Sequence, residues 1–353
     1  MFNPVQFYDF GKNKDVFDRL IGSVYSGPNK WIGGVLATNG NIYFAPLEES
    51  RILQLDTTTN TTSLIGSVIA GGLRSAGGVL APNGKIYFAP VDISQILQLD
   101  PATNTTSLIG SVYSGSGKYG GGVLAPNGKI YFAPFQASQI LQLDPTNNTT
   151  SLIGSSYSGS SKYYGGVLSN NGKIYFTPRN ATKILELDPS TNTTSLIGSV
   201  YSGSDKWLSG VLAPNGKIYF SPFNATQILQ LDPSTNTTSL IGSVITGSAN
   251  YAGAVLAPNG KIYFVPFNAS KTLQLDPTNN TTNLFGNANS QSGKYVGGVL
   301  GSNGDIYFVP FNATQILQLL QVKNPNVLGS DAQIPTNLAN LVTSKYNKYY
   351  NKL

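Results

Sequence analysis

Apolar and polar positions alternate along this chain in short bursts, and the bursts recur. Gly-Gly-Val-Leu at 121–124 gives way to Pro-Asn-Gly and then to Lys-Ile-Tyr-Phe at 129–132. Gln-Ile-Leu-Gln-Leu follows at 139–143, then Asp-Pro, then Thr-Thr-Ser-Leu-Ile-Gly at 149–154. Apolar or alternating runs this short, bounded by Gly, Pro, Asn and Asp, predict strands. The Pro-Asn-Gly link supplies residues that accept positive φ, so it predicts a tight hairpin. In Asp-Pro-x-Thr-Asn, Asp accepts a turn hydrogen bond and Pro fixes φ.

This four-strand unit recurs at a fixed period. The glycine just ahead of Ile-Tyr-Phe falls at Gly40, Gly84, Gly128, Gly172, Gly216, Gly260 and Gly304, a constant step of 44 residues (84 − 40 = 44). The Leu-Ile-Gly and Ile-Leu-Gln-Leu markers keep the same step. Four antiparallel strands per unit of roughly 40–50 residues is the blade of a β-propeller. Seven units predict an all-β, seven-bladed ring. The chain opens its repeats with a lone fourth strand, residues 18–23, and ends them with strands one to three, up to Leu319. The N-terminal strand is therefore expected to complete the last blade and remove an open edge. Residues 326–330 weakly echo a fourth strand and are the rival closure. The expected division is an N-terminal extension over 1–17, the propeller over 18–320, and a C-terminal tail over 321–353.

Composition narrows the chemistry. The 353 residues are 40% hydrophobic and 11% charged, with 39 glycines, 20 tyrosines and a net charge of +6. There is no cysteine and no histidine. Disulfides, zinc–thiolate sites and cysteine nucleophiles are excluded, and so is the commonest general base and metal ligand. No apolar run reaches a membrane span, and the first residues lack the basic start and apolar core of a signal peptide. These features leave virion and cytoplasm both open as locations.

The unit Gly-Val-Leu-Ala-Pro-Asn-Gly-Lys-Ile-Tyr-Phe (210–220) followed by Phe-Asn-Ala-Thr-Gln-Ile-Leu-Gln-Leu-Asp-Pro (223–233) resembles the repeats of NHL-type and streptogramin-lyase-like propellers. It is also similar to repeat propellers of large DNA viruses and protists. The resemblance covers about residues 18–319 and implies the propeller fold. The lyase subgroup uses His and Glu in catalysis, so the absence of histidine does not let that activity carry over.

Two loops of each blade share one face of a propeller. The loop ahead of the first strand carries a repeated cation, Lys30, Arg74, Lys118, Lys162, Lys206 and Lys294, with Asn250 in the remaining copy. An aromatic follows it directly: Trp31, Tyr119, Tyr163, Trp207, Tyr251 and Tyr295, with Ser75 as the exception. The loop after the second strand carries Phe135-Gln136, and Asn224, Asn268 and Asn312 in Phe-Asn-Ala sequences. A ring of cations, aromatics and amides suits a glycan, a nucleic acid or another anionic ligand. Against this, the aromatics fit ordinary blade packing, whereas burial is unusual for lysine.

No cofactor and no metal are expected. The recurring Asp56, Asp100, Asp144, Asp188, Asp232 and Asp276 are read as turn acceptors, too far apart to share one ion. The Asn-Thr-Thr sequons at Asn60, Asn104, Asn148, Asn192, Asn236 and Asn280 are likewise read as turns. Phe7 and Tyr8 near the start, and Leu338, Val342, Tyr346 and Tyr349 on a predicted C-terminal helix, are candidate docking residues for other proteins of an assembly. The leading expectation is a non-enzymatic binding or structural module, such as a virion or surface-complex component. The alternative is a ligand-recognition propeller using the Lys–aromatic ring.

Overall fold

The Ile-Tyr-Phe-x-Pro segment is apolar without a break, which makes sense only if both of its faces are covered. The computed structural model describes residues 16–321 except 71, 287, 289 and 290, and it shows why. The chain forms seven four-stranded antiparallel sheets in a ring. In blade 3 the strands are Tyr119–Leu124, Ile130–Pro134, Ile140–Asp144 and Thr149–Ile153, from the axis outward. Ile130, Phe132, Leu141 and Leu143 pack against blade 2, where they meet Tyr87, Ala89 and Ile96. Tyr131, Ala133 and Ile140 face the other way, onto Ile174, Phe176, Leu185 and Leu187 of blade 4. The seven large cores are thus interfaces between neighbouring blades.

Ring closure follows the sequence expectation. Val16–Ile21 pairs antiparallel with Ile316–Gln321, from Val16 opposite Gln321 to Ile21 opposite Ile316. Its Ile21 joins Tyr307, Val309 and Ile316 of blade 7 against Trp31, Phe44 and Leu53 of blade 1. The closing interface therefore has the same make-up as the others. Residues 326–330 and the tail positions Phe7, Tyr8, Leu338, Val342, Tyr346 and Tyr349 lie outside the described residues.

Polar contacts stitch the blades on the hairpin-turn face. Gln142 Nε2 donates to Tyr131 Oη at 3.0 Å and to Asn192 Oδ1 of the next blade at 3.0 Å. Asn127 Nδ2 donates to the Tyr131 oxygen at 2.8 Å and to Pro189 O at 3.0 Å. Asn192 and the five other asparagines of the Asn-Thr-Thr turns sit at φ 55–60°. Their sequence is accounted for by the turn. The aspartates serve their own turns too: Asp144 Oδ1 accepts from the Thr146 hydroxyl at 2.5 Å and from Thr146 N at 3.0 Å, and these hydrogen bonds hold its carboxyl below the usual carboxylate range.

The axis imposes the tightest constraint. In six blades the inner strand carries a bulge: Tyr119 faces Pro134 and Gly122 faces Phe132, so Gly120 and Gly121 together oppose Ala133. Blade 2 bulges one residue later. At the bulge, backbones of adjacent blades touch. A Cβ on Gly33 would stand 2.9 Å from Gly77 Cα. Gly84, in a hairpin turn, shares the left-handed φ (+77° against +69°) but has nothing within 4 Å. We expect Gly33→Ala to lower the thermal midpoint more than Gly84→Ala. Both variants carry the left-handed cost of about 1 kcal/mol, and only the first must also push two backbones apart. Parallel melting curves followed by circular dichroism check this, and equal losses would contradict it.

Candidate functional site

The loop face was expected to display a cationic ring. The structure turns those cations inward. Lys30, Lys118, Lys162, Lys206 and Lys294 are each at most 4% exposed. Lys118 Nζ donates to Gly115 O of its own loop at 2.8 Å, and to Val91 O and Asp92 O of the preceding blade at 3.0 and 3.2 Å. Lys162 repeats this with Gly159 O, Gln136 O and Phe135 O, and Lys206 with Gly203 O and Arg179 O. Lys30 bonds Gly27 O and Phe311 O, stapling blade 1 to blade 7 across the closure. Lys294 Nζ bonds Gln291 O at 2.7 Å. Arg74 reaches the carbonyls of Ile69, Gly72, Leu47 and Glu48. Asn250, shorter than lysine, leaves its buried Nδ2 without a partner. The general rule that lysine stays exposed fails because an ammonium has three donors and each loop pair offers it carbonyls.

The remaining candidates are structural as well. Trp31, Tyr119, Tyr163, Trp207, Tyr251 and Tyr295 begin their inner strands at 0–3% exposure, inside the inter-blade cores. The Asn224, Asn268 and Asn312 side chains bridge blades: their Oδ1 atoms accept from Ala249 N, Gly293 N and Asn29 N at 2.8–2.9 Å. The lysines, tryptophans and asparagines of the expected ligand ring thus direct polar atoms to backbone partners, and its tyrosines are buried.

What the loop face does present lies one residue from those positions. The residue after the second strand's proline is Leu47, Val91, Phe135, Arg179, Phe223, Phe267 and Phe311 in blades 1 to 7. The second residue of the inner strand, the first bulge residue in every blade but the second, is Ile32, Ala76, Gly120, Tyr164, Leu208, Ala252 and Val296. These two sets meet at the axis. Phe135, Tyr164, Arg179, Phe223, Phe267 and Phe311 are half-buried. Phe223 packs on Phe267 at 5.2 Å between ring centres, Phe267 on Phe311 at 5.7 Å, and Phe135 on Tyr164 at 5.6 Å. The Arg179 guanidinium carbon lies 5.0 Å from the Phe135 ring centre, 5.8 Å from that of Tyr164 and 5.9 Å from that of Phe223. Arg179 Nε donates to Asp205 Oδ1 at 2.6 Å.

Tyr164 reaches across the channel. It packs against Leu47, Ala76 and Val91 of blades 1 and 2, and against Leu208, Ala252 and Val296 of blades 5 to 7. Gly120 makes room for it, since a Cβ there would lie 2.4 Å from the Tyr164 ring. Burial pushes the Tyr164 hydroxyl pKa up, partly offset by Arg179. Tyr164 also lines a cavity of about 190 Å³ at the axis, walled mostly by inner-strand glycines. The signal that could have marked this site in the sequence is disagreement among the copies: both positions vary from blade to blade while their neighbours repeat.

With the geometry in place, the comparisons are informative about fold. No family model matches the chain, and no curated protein matches it. Among solved structures, a streptogramin B lyase superposes with TM-score 0.75 at 15% identity, covering 87% of this chain and 98% of that one. A virginiamycin B lyase from Staphylococcus aureus, in a catalytically inactive histidine-to-alanine form with quinupristin, gives TM-score 0.74 at 12% identity over 87% and 100% of the two chains. Hydrazine synthase of Kuenenia stuttgartiensis gives 0.67 at 11% identity over 89% and 99%. The fold is that of a streptogramin-lyase-like propeller, shared by proteins of differing function.

The inward lysines leave a signature in pH. Burial draws the Lys294 pKa from 10.5 to about 8 and lowers those of Lys30, Lys118, Lys162 and Lys206. Between the folded and unfolded values the unfolded chain binds more protons, so stability rises with pH. Burial raises Tyr251 from 10.0 to about 12, and also raises Tyr175 and Tyr307. Above pH 10 the folded state therefore holds the extra protons and stability falls. We expect the melting temperature to climb from pH 8 toward 10 and drop beyond, with a shallower climb in Lys294→Met. A flat profile from pH 8 to 10, or an unchanged climb in the variant, would contradict this.

Proposed function

We propose that this chain is a non-enzymatic binding propeller that docks its partner on the aromatic patch at the axis of the loop face. The observation that carries the reading is the patch itself. Phe223, Phe267, Phe311, Phe135 and Tyr164 form one half-exposed aromatic surface around Arg179. Contiguous exposed apolar surface on a soluble fold marks interaction sites, and Tyr and Arg dominate binding hot spots.

Several features favour binding over catalysis. The chain has no histidine or cysteine, whereas the virginiamycin B lyase compared above is described as inactive once a histidine is replaced. At the patch, the ionisable groups are Tyr164, with its raised pKa, and Arg179, already paired with Asp205. Neither is poised as a general base near neutrality. Anionic polymers are disfavoured because the loop lysines that would have attracted them are spent on backbone carbonyls.

Binding is tested with the immobilised chain against a displayed library of random peptides, a glycan array and single-stranded oligonucleotides. Recovered binders should lose at least tenfold in affinity, about 1.4 kcal/mol, to the Phe267→Ser/Phe311→Ser variant. They should be unaffected by Lys129→Ala/Lys217→Ala on the opposite face. Binders indifferent to the phenylalanine substitutions, or no binders in any of the three screens, would refute the reading.

A further inference from the structure

Six blades seat a side-chain cation among loop carbonyls, and blade 6 does not. Lys118 Nζ donates to Gly115 O, three residues back, at 2.8 Å, and to Val91 O and Asp92 O of the preceding blade. Lys162 Nζ finds Gly159 O at 2.8 Å, Phe135 O at 3.3 Å and Gln136 O at 3.2 Å in the same way. Lys206 uses Gly203 O and Arg179 O, and Lys30 uses Gly27 O and Phe311 O. Lys294 keeps the bond to the carbonyl three residues back, Gln291 O. Arg74 spreads its guanidinium over Leu47 O, Glu48 O and Gly72 O. The corresponding carbonyls at blade 6 are Gly247 O of its own loop, and Phe223 O and Asn224 O of blade 5. The residue in the lysine position is Asn250, uncharged and shorter.

The loops have not closed up around the smaller residue. Asn250 N donates to Phe223 O at 2.8 Å, as Lys206 N donates to Arg179 O at 3.0 Å. Phe267 N donates to Asn250 O at 2.8 Å, as Phe223 N donates to Lys206 O at 2.9 Å. The left-handed turn is kept too: φ is 92° at Gly247 and 51° at Ala249, against 104° at Gly203 and 51° at Asp205. The carbonyls are therefore held where a lysine ammonium is received in other blades. Asn250 does not complete the cluster. It is 7% exposed, and its Nδ2 is buried without a hydrogen-bond partner. A buried amide donor with no acceptor, beside carbonyls that its side chain does not reach, calls for a further group. Gly247 and Asn224 are exposed, so that group can arrive from solvent.

Its chemistry follows from the other blades. It is small and cationic, and it donates several splayed N–H bonds, as an ammonium does. None of the groups at the site is a carboxylate, so a divalent cation would lack its usual ligands. We propose that this junction of blades 5 and 6 binds an ammonium group from solution, the free ion or a primary alkylammonium, on Phe223 O, Asn224 O and Gly247 O. Turning the Asn250 amide about its last bond brings Oδ1 to the ammonium as a further acceptor. The occupant ties the loop of blade 6 to blade 5, as Lys118 and Lys162 tie theirs, beside the Phe223–Phe267 pair. The site is independent of partner docking on the aromatic patch.

Thermal melting of the intact chain at pH 7 tests this, in ammonium, methylammonium or tetramethylammonium chloride at matched ionic strength. Tetramethylammonium has no N–H and is the reference. The melting temperature should rise by a few degrees in ammonium chloride above that reference, and level off as the site fills. Asn250→Lys brings its own ammonium to the carbonyls. It should melt above the unsubstituted chain in the reference salt and lose the ammonium response. Asn250→Gln, whose longer amide extends toward the same carbonyls, should blunt the response, and it serves if the lysine variant does not fold. A rise with ammonium and methylammonium supports a site open to alkylamines. A rise with ammonium alone supports a site for the free ion. No excess stabilisation over the reference salt, or an equal excess in the Asn250 variants, overturns the proposal.

Discussion

Backbone-to-backbone contact at the axis is the constraint on which the rest of this structure depends. Seven strands converge until an added methyl on one would meet the main chain of the next: 2.8 Å from Gly297 to Gly33, 2.9 Å from Gly33 to Gly77, and 3.1 Å from Gly77 to Gly121. Only glycine permits both that approach and the left-handed φ of the bulge. Because the inner strands meet so closely, the second and third strands of neighbouring blades are brought face to face. The uninterrupted Ile-Tyr-Phe runs then bury both sides, and each blade is stable only in company. Closure by Val16–Ile21 is part of the same logic, since a ring held by neighbour contacts cannot tolerate one blade without its outer strand.

The loop lysines extend this neighbour-to-neighbour design to the upper face. Lys118 ties its own loop to the preceding blade through three carbonyls, and Lys30 does so between the two ends of the ring. Taking an ammonium out of water is costly, and the lowered lysine pKa values reflect that cost. The carbonyls offset it, helped by Glu49 beside Lys30 and Asp92 beside Lys118, and removing a lysine would take one donor from each of them. The loops are thereby held rigidly, which matters for a surface assembled from side chains of all seven blades.

Much of the fold was legible in the sequence because its determinants repeat. Gly40 to Gly304 at constant spacing, the turn signals and the unmatched first strand sufficed for blade number, strand order and closure. The candidate site was not legible in the same way. Reading for repetition selected Lys118, Tyr119 and Asn224, whose recurrence reflects a structural task performed in nearly every blade. The lysines misled further because residue type argued for exposure, and only the loop geometry reveals the carbonyls that accept them. Tyr164 was missed because its position depends on a bulge that shifts side-chain alternation by one residue, and a bulge is hard to place within a run of glycines.

Repetition and function therefore divide the chain between them. A ring of seven identical blades would offer seven equivalent bearings around its axis, and a partner could dock on any of them alike. Here symmetry breaks where side chains enter the axis. Gly120 is small so that Tyr164 can cross, and the tight glycine contacts relax beside it. Ser209 replaces the bulge glycine in blade 5, and a Cβ on Gly165 would lie 3.8 Å from Leu208 O, against about 3 Å at the tightest junctions. The bulky Tyr164 and Leu208 occupy this looser sector, and Arg179 rises over it. The departures from the repeat are spatially coupled: a large residue in one blade needs a small one next door and a wider junction. Such coupled departures make the loop face unequal around its axis, with the Phe267–Phe311 aromatics and the Arg179–Asp205 pair at distinct bearings. Such a surface can hold a partner at one bearing about the axis, which a sevenfold-equivalent surface cannot.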